Sequence, residues 1–540
     1  MRKIESIFIT ISLFAVLIVT GVATWQKTNK ITTTEENSYS FPSSQFGSFL
    51  AAQHAIHVND FDNAIKHTSR LRATEYPIIH NAKILSEFLS GQIPADVQLL
   101  RSEKTLTAKF IYDAWLVKND NWKEMHNRHK NETATLIAPF RIWPAIANDW
   151  RKNTFKYIDS LPVNESWREF VRGQIYAELG DIEKATTHFD AVTTDFMNIN
   201  DYLYLMSFYT HHDMADKAEN LKEKYTSRPT GLFLANFDKV PDWSAYSGFK
   251  NALAFSLVQN VSHTQILMYS DMAILMLRFA QTTAPEFTKN TDAINYYLGQ
   301  YFYTNTGKYE QFFDKISPDS PFYPFAMLRK AEKSNNIAQL EAILQKHPLF
   351  APAVKKAVSH YIKTGNKRAA LRIVNKAMKQ KNINDAGRAL FAKTRAQIYY
   401  SFGDYDKAQE DIKLASDKLR IDTDIILLQA KIWAVQNREI ENAYKYAMTL
   451  VAKNPSNTSA WDALSIVVAV REGVDAALEI LERVTEVSQT HSPLYKHLGD
   501  MYEAIGEYEQ ARKSYMRAID LSDDGLIVVP EIERKIRKLK

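Results

Sequence analysis

The sequence predicts an all-α protein, a solenoid of stacked helix–turn–helix hairpins behind one N-terminal apolar segment. Three observations predict it. Glycine (16) and proline (17) are scarce among 540 residues, and glycine lies far below its usual share of about 7%; so few breakers imply long helices with short connections. Alanines 408, 443, 477 and 511 recur at intervals of 35, 34 and 34 residues. The chain also exceeds the size of one ordinary core, a limit that a repeat array escapes because it grows by addition. Hydrophobic content (45%), charged content (24%) and a net charge of +5 fit a folded protein and give no reason to expect nucleic acid. The absence of cysteine removes disulfides, thiolate metal sites and thiol nucleophiles together.

The elements follow in chain order. Arg2 and Lys3 precede an apolar run from Ile7 to Trp25. As a helix it spans roughly 28 Å, against about 30 Å of bilayer hydrocarbon. Trp25 falls where an interfacial aromatic sits, with Lys27 and Lys30 beyond. Residues 1–27 are therefore expected to be a signal-anchor or transmembrane helix with the remainder translocated. A cleaved signal peptide, with a small-x-small site at Gly21–Ala23, and a buried helix remain the alternatives. Residues 28–44 are polar, Ser/Thr-rich and aperiodic, which predicts a flexible linker.

Residues 45–290 are expected to form divergent hairpins. Ala52, Phe61 and Ala64 are in phase, as are Gly173, Tyr176, Gly180, Ala185 and Phe189. The pattern fails between about 228 and 289, where divergent hairpins or an insertion are expected, with helix at 252–258 and 269–279. Residues 291–388 read as degenerate repeats, keeping Leu298–Gly299, then Tyr361, Gly365, Ala370 and Ala377. Residues 389–525 read as four consecutive units. In the last, Gly499 and Ala511 are expected to face each other at the helix crossing, Tyr495, Tyr502 and Tyr515 to fill the gaps, and Gly506 to stop the first helix in a left-handed conformation. Residues 526–540 predict a closing helix, with Pro530 and Glu531 at its start and Arg534, Lys535, Arg537 and Lys538 towards its end.

The 34-residue period and these small and aromatic positions resemble the tetratricopeptide repeat, which implies a right-handed superhelix of hairpins. "FGSFLAAQHAIHVNDFDNAIKH", "KISPDSPFYPFAMLRKAE" and "LYKHLGDMYEAIGEYEQARKSYMRAIDL" followed by "PEIERKIRKL" further resemble long tetratricopeptide proteins of alphaproteobacteria. That resemblance implies a repeat scaffold and transfers no catalytic residue.

In such a solenoid the first helix of each hairpin, helix A, lines the concave surface. The lining positions fall at Leu390, Lys393, Gln397, Tyr400 and Ser401; Ile425, Leu428, Ile432, Val435 and Gln436; Ser459, Asp462, Ile466, Ala469 and Val470; and Pro493, Lys496, Asp500, Glu503 and Ala504. Lys393 matches the first lysine of the clamp that grips a chaperone's C-terminal carboxylate, but Gln397, Gln429, Ser459 and Ala463 replace the rest, so that clamp is not expected. The expected partner groove is Lys393, Gln397, Tyr400, Leu428, Ile432, Val435, Ile466, Ala469, Val470, Lys496 and Asp500. Its apolar middle suits an amphipathic helix or extended peptide, or else is covered by a neighbouring helix such as the C-terminal one.

No phosphate-binding glycine loop, GxSxG or HExxH occurs. His54, His57 and His67, His126 and His129, and His211 and His212 cluster in sequence, yet each lacks an evident converging third ligand. No catalytic residue, metal or cofactor is expected. The basic run Lys367, Arg368, Arg372, Lys376 and Lys379 reads as a solvated flank or a surface for an acidic partner or lipid headgroups. The functional expectation is a non-enzymatic scaffold in the bacterial cell envelope, tethered to the inner membrane by a single pass with its solenoid in the periplasm. The alternative is an exported soluble periplasmic factor assisting envelope assembly.

Overall fold

The structure is a computed structural model that describes residues 43–71, 77–103, 105–237, 239–264, 270–419 and 422–539. The expected N-terminal membrane segment and most of the linker lie outside the described residues. Among the described residues there are 29 α-helices and no strand, and none of the helices is long and apolar enough to cross a membrane.

The helices pair along the chain. The first pair is α1 (Ser43–His57) and α2 (Phe61–Thr68), followed by α3 (Pro77–Leu89). Four pairs come next: α4 (Leu106–Lys118) with α5 (Trp122–His129), α6 (Pro139–Ala147) with α7 (Arg151–Ser160), α8 (Glu165–Glu178) with α9 (Ile182–Asp190), and α10 (Ile199–His211) with α11 (Ala215–Thr226). The region where the repeat pattern fails contains two 3₁₀ turns and an apolar pair, α12 (Phe249–His263) and α13 (Asp271–Thr283), then the short α14 (Pro285–Thr291). Three pairs follow: α15 (Ala293–Asn305) with α16 (Glu310–Phe313), α17 (Tyr323–Ser334) with α18 (Ile337–Lys346), and α19 (Ala351–Lys363) with α20 (Lys367–Met378). The last four are α21 (Asp385–Ser401) with α22 (Tyr405–Ser416), α23 (Thr423–Val435) with α24 (Ile440–Lys453), α25 (Thr458–Arg471) with α26 (Val474–Val487), and α27 (Ser492–Ala504) with α28 (Tyr508–Asp520). The single helix α29 (Val529–Lys538) ends the fold.

One turn design joins most pairs. Gly506 has φ +84°; its N–H donates to the Glu503 carbonyl, and the next N–H, of Glu507, donates to that of Tyr502. This satisfies carbonyls that the end of helix A leaves without partners. Gly180, Gly365 and Gly403 do the same, and Asn59, Asp213, Asn335 and Asn437 take the left-handed conformation in hairpins that lack the glycine. In several turns the next residue caps helix B: Asp60, Asp181 and Asn366 each accept a backbone N–H from the first turn.

The four aligned alanines are all fully buried. Gly499, however, has the Tyr515 ring as its nearest neighbour across the hairpin. A Cβ there would lie 2.5 Å from the Tyr515 ring, so the bare face of helix A receives an aromatic ring from helix B. Gly173 under Phe189 and Gly299 under Phe313 repeat this contact.

The two halves are packed differently. From Phe61 to Ile398 one continuous apolar cluster runs through successive hairpins and is dense in Phe, Tyr and Trp. Beyond it the core divides into small alanine-rich clusters, roughly one per hairpin interface.

Candidate protein-binding face

The candidate face is formed by the A helices α21, α23, α25 and α27. Asn384, Asp422 and Asn457 cap the first three with backbone N–H bonds, and Pro493 sits in the first turn of the fourth. Each A helix packs against its neighbours, so side chains from consecutive hairpins meet.

They meet as a ladder of charges. Lys393 Nζ bonds Asp422 Oδ2 (2.8 Å) and Asp424 Oδ2 (3.2 Å) at the start of the next A helix. Lys431 Nζ bonds Asp462 Oδ2 (2.6 Å) and also lies over the Tyr400 ring, 5.8 Å from its centre. Asp462 Oδ1 meets His497 Nδ1 at 2.6 Å. One turn along α27, Asp500 accepts from Lys496 (2.7 Å), from Lys535 of α29 (2.6 Å) and from the Tyr515 hydroxyl (2.7 Å).

Asp462 is fully buried. Burial works to raise its pKa, but Lys431 and His497 outweigh it and hold the carboxyl well below the usual carboxylate range. Asp500 is likewise lowered: burial opposes, and Lys496, His497 and Lys535 prevail. Lys393 is raised, with Asp422 and Asp424 overcoming burial. The Tyr515 hydroxyl is pushed far up, first by burial and then by Asp500 and Glu503. Asp462 and Asp500 are thus ionised throughout the neutral range, each satisfied by several partners.

The expected groove residues separate into three groups. Lys393, Tyr400, Lys496 and Asp500 belong to the ladder, and Gln397 beside them donates to the Ser401 hydroxyl. Leu428 (4% exposed) and Ile432 (0%) do not line a groove. They pack against Ala392, Ala396, Ala408 and Ile412 of the preceding hairpin, because each A helix inserts one apolar edge into the pair before it. Ile466 and Ala469 are half-buried against neighbouring clusters. Only Val435 (39%) and Val470 (42%) of the apolar group are open to solvent. The expected apolar strip is therefore corrected to a charged ladder bordered by two exposed valines.

Sequence reasoning missed Lys431, His497 and Lys535, whose partners stand one hairpin away. Their signal is a basic residue on one A helix about 31 to 35 positions from an acid on the next, as in Lys431/Asp462 and Asp462/His497.

Histidine serves elsewhere as an ion-pair partner. His129 meets Asp113 (2.7 Å), His188 meets Glu169 (2.6 Å) and His263 meets Asp201 (2.6 Å). His126 meets Trp150 edge to face, and His211 and His212 lie beside Trp243. Among the described residues no group of three or more His, Asp or Glu could hold a metal ion. Within the basic run, Lys367 pairs with Asp404 and Arg372 with Glu341.

Residues 493–524, which span α27 and α28, match the family model described as tetratricopeptide repeat. No curated protein matches the chain. Among solved structures, a tetratricopeptide repeat protein from Parabacteroides merdae is similar at 14% identity and a TM-score of 0.31, over 54% of this chain and 98% of that one. A structure of the APC/C hetero-tetramer Cut9-Hcn1 is similar at 13% identity and 0.30, over 92% and 97%. The tetratricopeptide domain of P58(IPK) is similar at 12% identity and 0.20, over 69% and 99%. The C-terminal hairpin thus matches a tetratricopeptide repeat, and the described chain as a whole is an all-α array of helix pairs.

Proposed function

We propose that the chain is a non-enzymatic scaffold that binds another protein along the A-helix face from Lys393 to Asp500. The observation that carries the reading is the ladder itself. Four consecutive A helices are tied along one continuous face by ion pairs that satisfy one another, which fixes the spacing of Val435 and Val470, open beside it. Such a face suits an extended or helical segment that sets small apolar groups at repeat spacing against the two valines.

A photo-crosslinking residue at Val435 or Val470 is expected to give adducts with the same protein, while one at exposed Leu414 on α22 does not. Equal labelling at all three positions, or none at the two valines, would sink the reading. Val435→Asp with Val470→Asp is preferable to a change at Leu428 or Ile432, since the latter pair supports the fold.

The apolar run Ile7–Trp25 supports a tether in the bacterial inner membrane with the solenoid in the periplasm. Resistance to carbonate extraction together with an uncleaved N-terminus is the expected result. A mature protein beginning just after Ala23 would favour the exported soluble factor instead.

A further inference from the structure

The segment after the last hairpin does more than cap it. The 3₁₀ turn Ser522–Asp524 packs on α19, four hairpins upstream. Asp523 pairs with Lys363 at the end of α19. Gly525, at φ +65° and buried, lies so close to Ser359 that a Cβ would overlap the Ser359 side chain and come within 2.6 Å of its Cα. Val528 and Pro530 sit over Gly365, in the α19–α20 turn. Val528 belongs to the same continuous apolar cluster as Ile362 and Phe350, although every hairpin between α23 and α28 has a small core of its own. At the other end of the segment, Ile527, Ile532 and Leu539 join Ala511 and Tyr515 in the last hairpin, and Lys535 bonds Asp500. Residues 522–539 therefore bridge the first and last hairpins of the arc from α19 to α28.

We propose that this segment is a clasp in cis, which when seated holds the arc at one curvature and when released lets it open. The seat is specific. Its ion pair is largely exposed, so it contributes little by itself. The steric fit of Gly525 to Ser359 and the insertion of Val528 carry the contact. A side chain at Gly525 is excluded twice, by the left-handed backbone and by the Ser359 backbone. An open arc would present its A-helix face at a different spacing of the ladder, which is what a partner of another length would require; that consequence rests on the reading proposed above, whereas the clasp does not.

The cysteine-free chain permits a direct test. Lys363→Cys with Asp523→Cys, treated with a short bismaleimide, is expected to crosslink within one chain in high yield. Adding Gly525→Val, or separately Val528→Asp, should cut that yield at least tenfold. The same changes, made without cysteines, should raise amide exchange in residues 351–366 at least tenfold, while α8 to α13 exchange as in wild type and small-angle scattering reports a larger radius of gyration. Intact helicity by circular dichroism is the check that a variant has folded, and the two variants act through different residues. Low crosslinking in the parent pair, or unchanged exchange at 351–366 in a folded Gly525→Val or Val528→Asp protein, would overturn the clasp. Failure of the crosslinks at Val435 and Val470 would overturn only the partner face.

Discussion

Asp462→Asn tests the ladder at its most buried member. The substitution preserves shape and removes one charge from a carboxylate with no exposed surface. Lys431 and His497, each with only 13% of its side chain exposed, then lose a counter-ion held at 2.6 Å on either oxygen. Breaking a buried pair costs about 3–5 kcal/mol. Lys431 keeps its contact with the Tyr400 ring and some solvent, which places the expected loss at the lower end, about 3 kcal/mol. Hairpins in a solenoid contact only their neighbours, so the loss should be local. Native-state amide exchange at pH 7 is expected to quicken more than 100-fold in α23, α25 and α27, by the relation of about 1.4 kcal/mol per factor of ten, and to stay unchanged in α8 and α9. Asp475→Asn, at an exposed acid on α26, is the control and should change nothing. The pH dependence has a definite sign. The folded pKa of Asp462 lies well below its ordinary value of 3.8, so its contribution is complete above about pH 4 and is lost as pH falls further. Wild type should weaken in these helices on acidification below pH 4, and the Asn variant should lack that component. A variant that exchanges within threefold of wild type at pH 7 would refute the reasoning.

Other substitutions separate the remaining contributions. Gly499→Ala is expected to cost about 1–3 kcal/mol by overpacking against the Tyr515 ring, read as a lower urea midpoint of the C-terminal transition, and Tyr515→Leu should relieve part of it. Gly506→Ala meets open space, so only the left-handed backbone opposes it, at about 1 kcal/mol, and Gly506→Asn should recover most of that. Glu178 accepts the Gly248 N–H, and burial raises its pKa to about 7. Its folded pKa exceeds the ordinary value of 4.5, so stability falls as pH climbs from about 4.5 to 7; Glu178→Gln should flatten that profile and at pH 8 be more stable by up to about 3 kcal/mol, from 1.36 kcal/mol per pK unit. For His263, burial lowers the pKa but the Asp201 carboxylate prevails and raises it. That contribution is present below about pH 6.5 and lost as pH rises through the folded pKa, a slope that His263→Gln should abolish in urea melts recorded from pH 5 to 9.

The repeat was legible because it depends on local chemistry. A residue that must be small at each crossing, as at Ala408, Ala443, Ala477 and Ala511, leaves a mark at a fixed interval whatever surrounds it. Gly506 was legible for the same reason, since the backbone there selects the residue. The ring that covers Gly499 was not, because Ala511 and Tyr515 are one helical turn apart on α28 and the spacing does not say whose atoms come nearest. Leu428 and Ile432 show a second limit. They lie one helical step from Lys431 and Val435, and the direction in which that step faces is set by how deeply α23 sinks into the preceding hairpin. Ion pairs such as Lys431 with Asp462 cross hairpins, so no single repeat contains them. The stretch from 228 to 289 showed its helices, expected at 252–258 and 269–279 and found at Phe249–His263 and Asp271–Thr283, but not their place in a repeat: α12 and α13 are buried on several sides and most of their side chains are apolar or aromatic, which erases the one-sided pattern by which a hairpin is phased.

The contrast between the halves gives the clasp a physical purpose. The N-terminal hairpins share one aromatic core, so each is secured by contacts that extend beyond its immediate neighbours. The C-terminal hairpins have only small separate cores, and in a nearest-neighbour array the final member has a single interface and frays first. Here the final member, α27 and α28, is joined through Ile527 and Ile532 to a segment whose Val528, between those two, is anchored in the large core. The last hairpin thus has two interfaces, and the hairpins between the two anchors are left with only their adjoining neighbours to hold them. Between the two anchors the buried pair of Lys431 with Asp462 joins α23 to α25, so the ladder is what ties together the hairpins that the clasp itself does not touch.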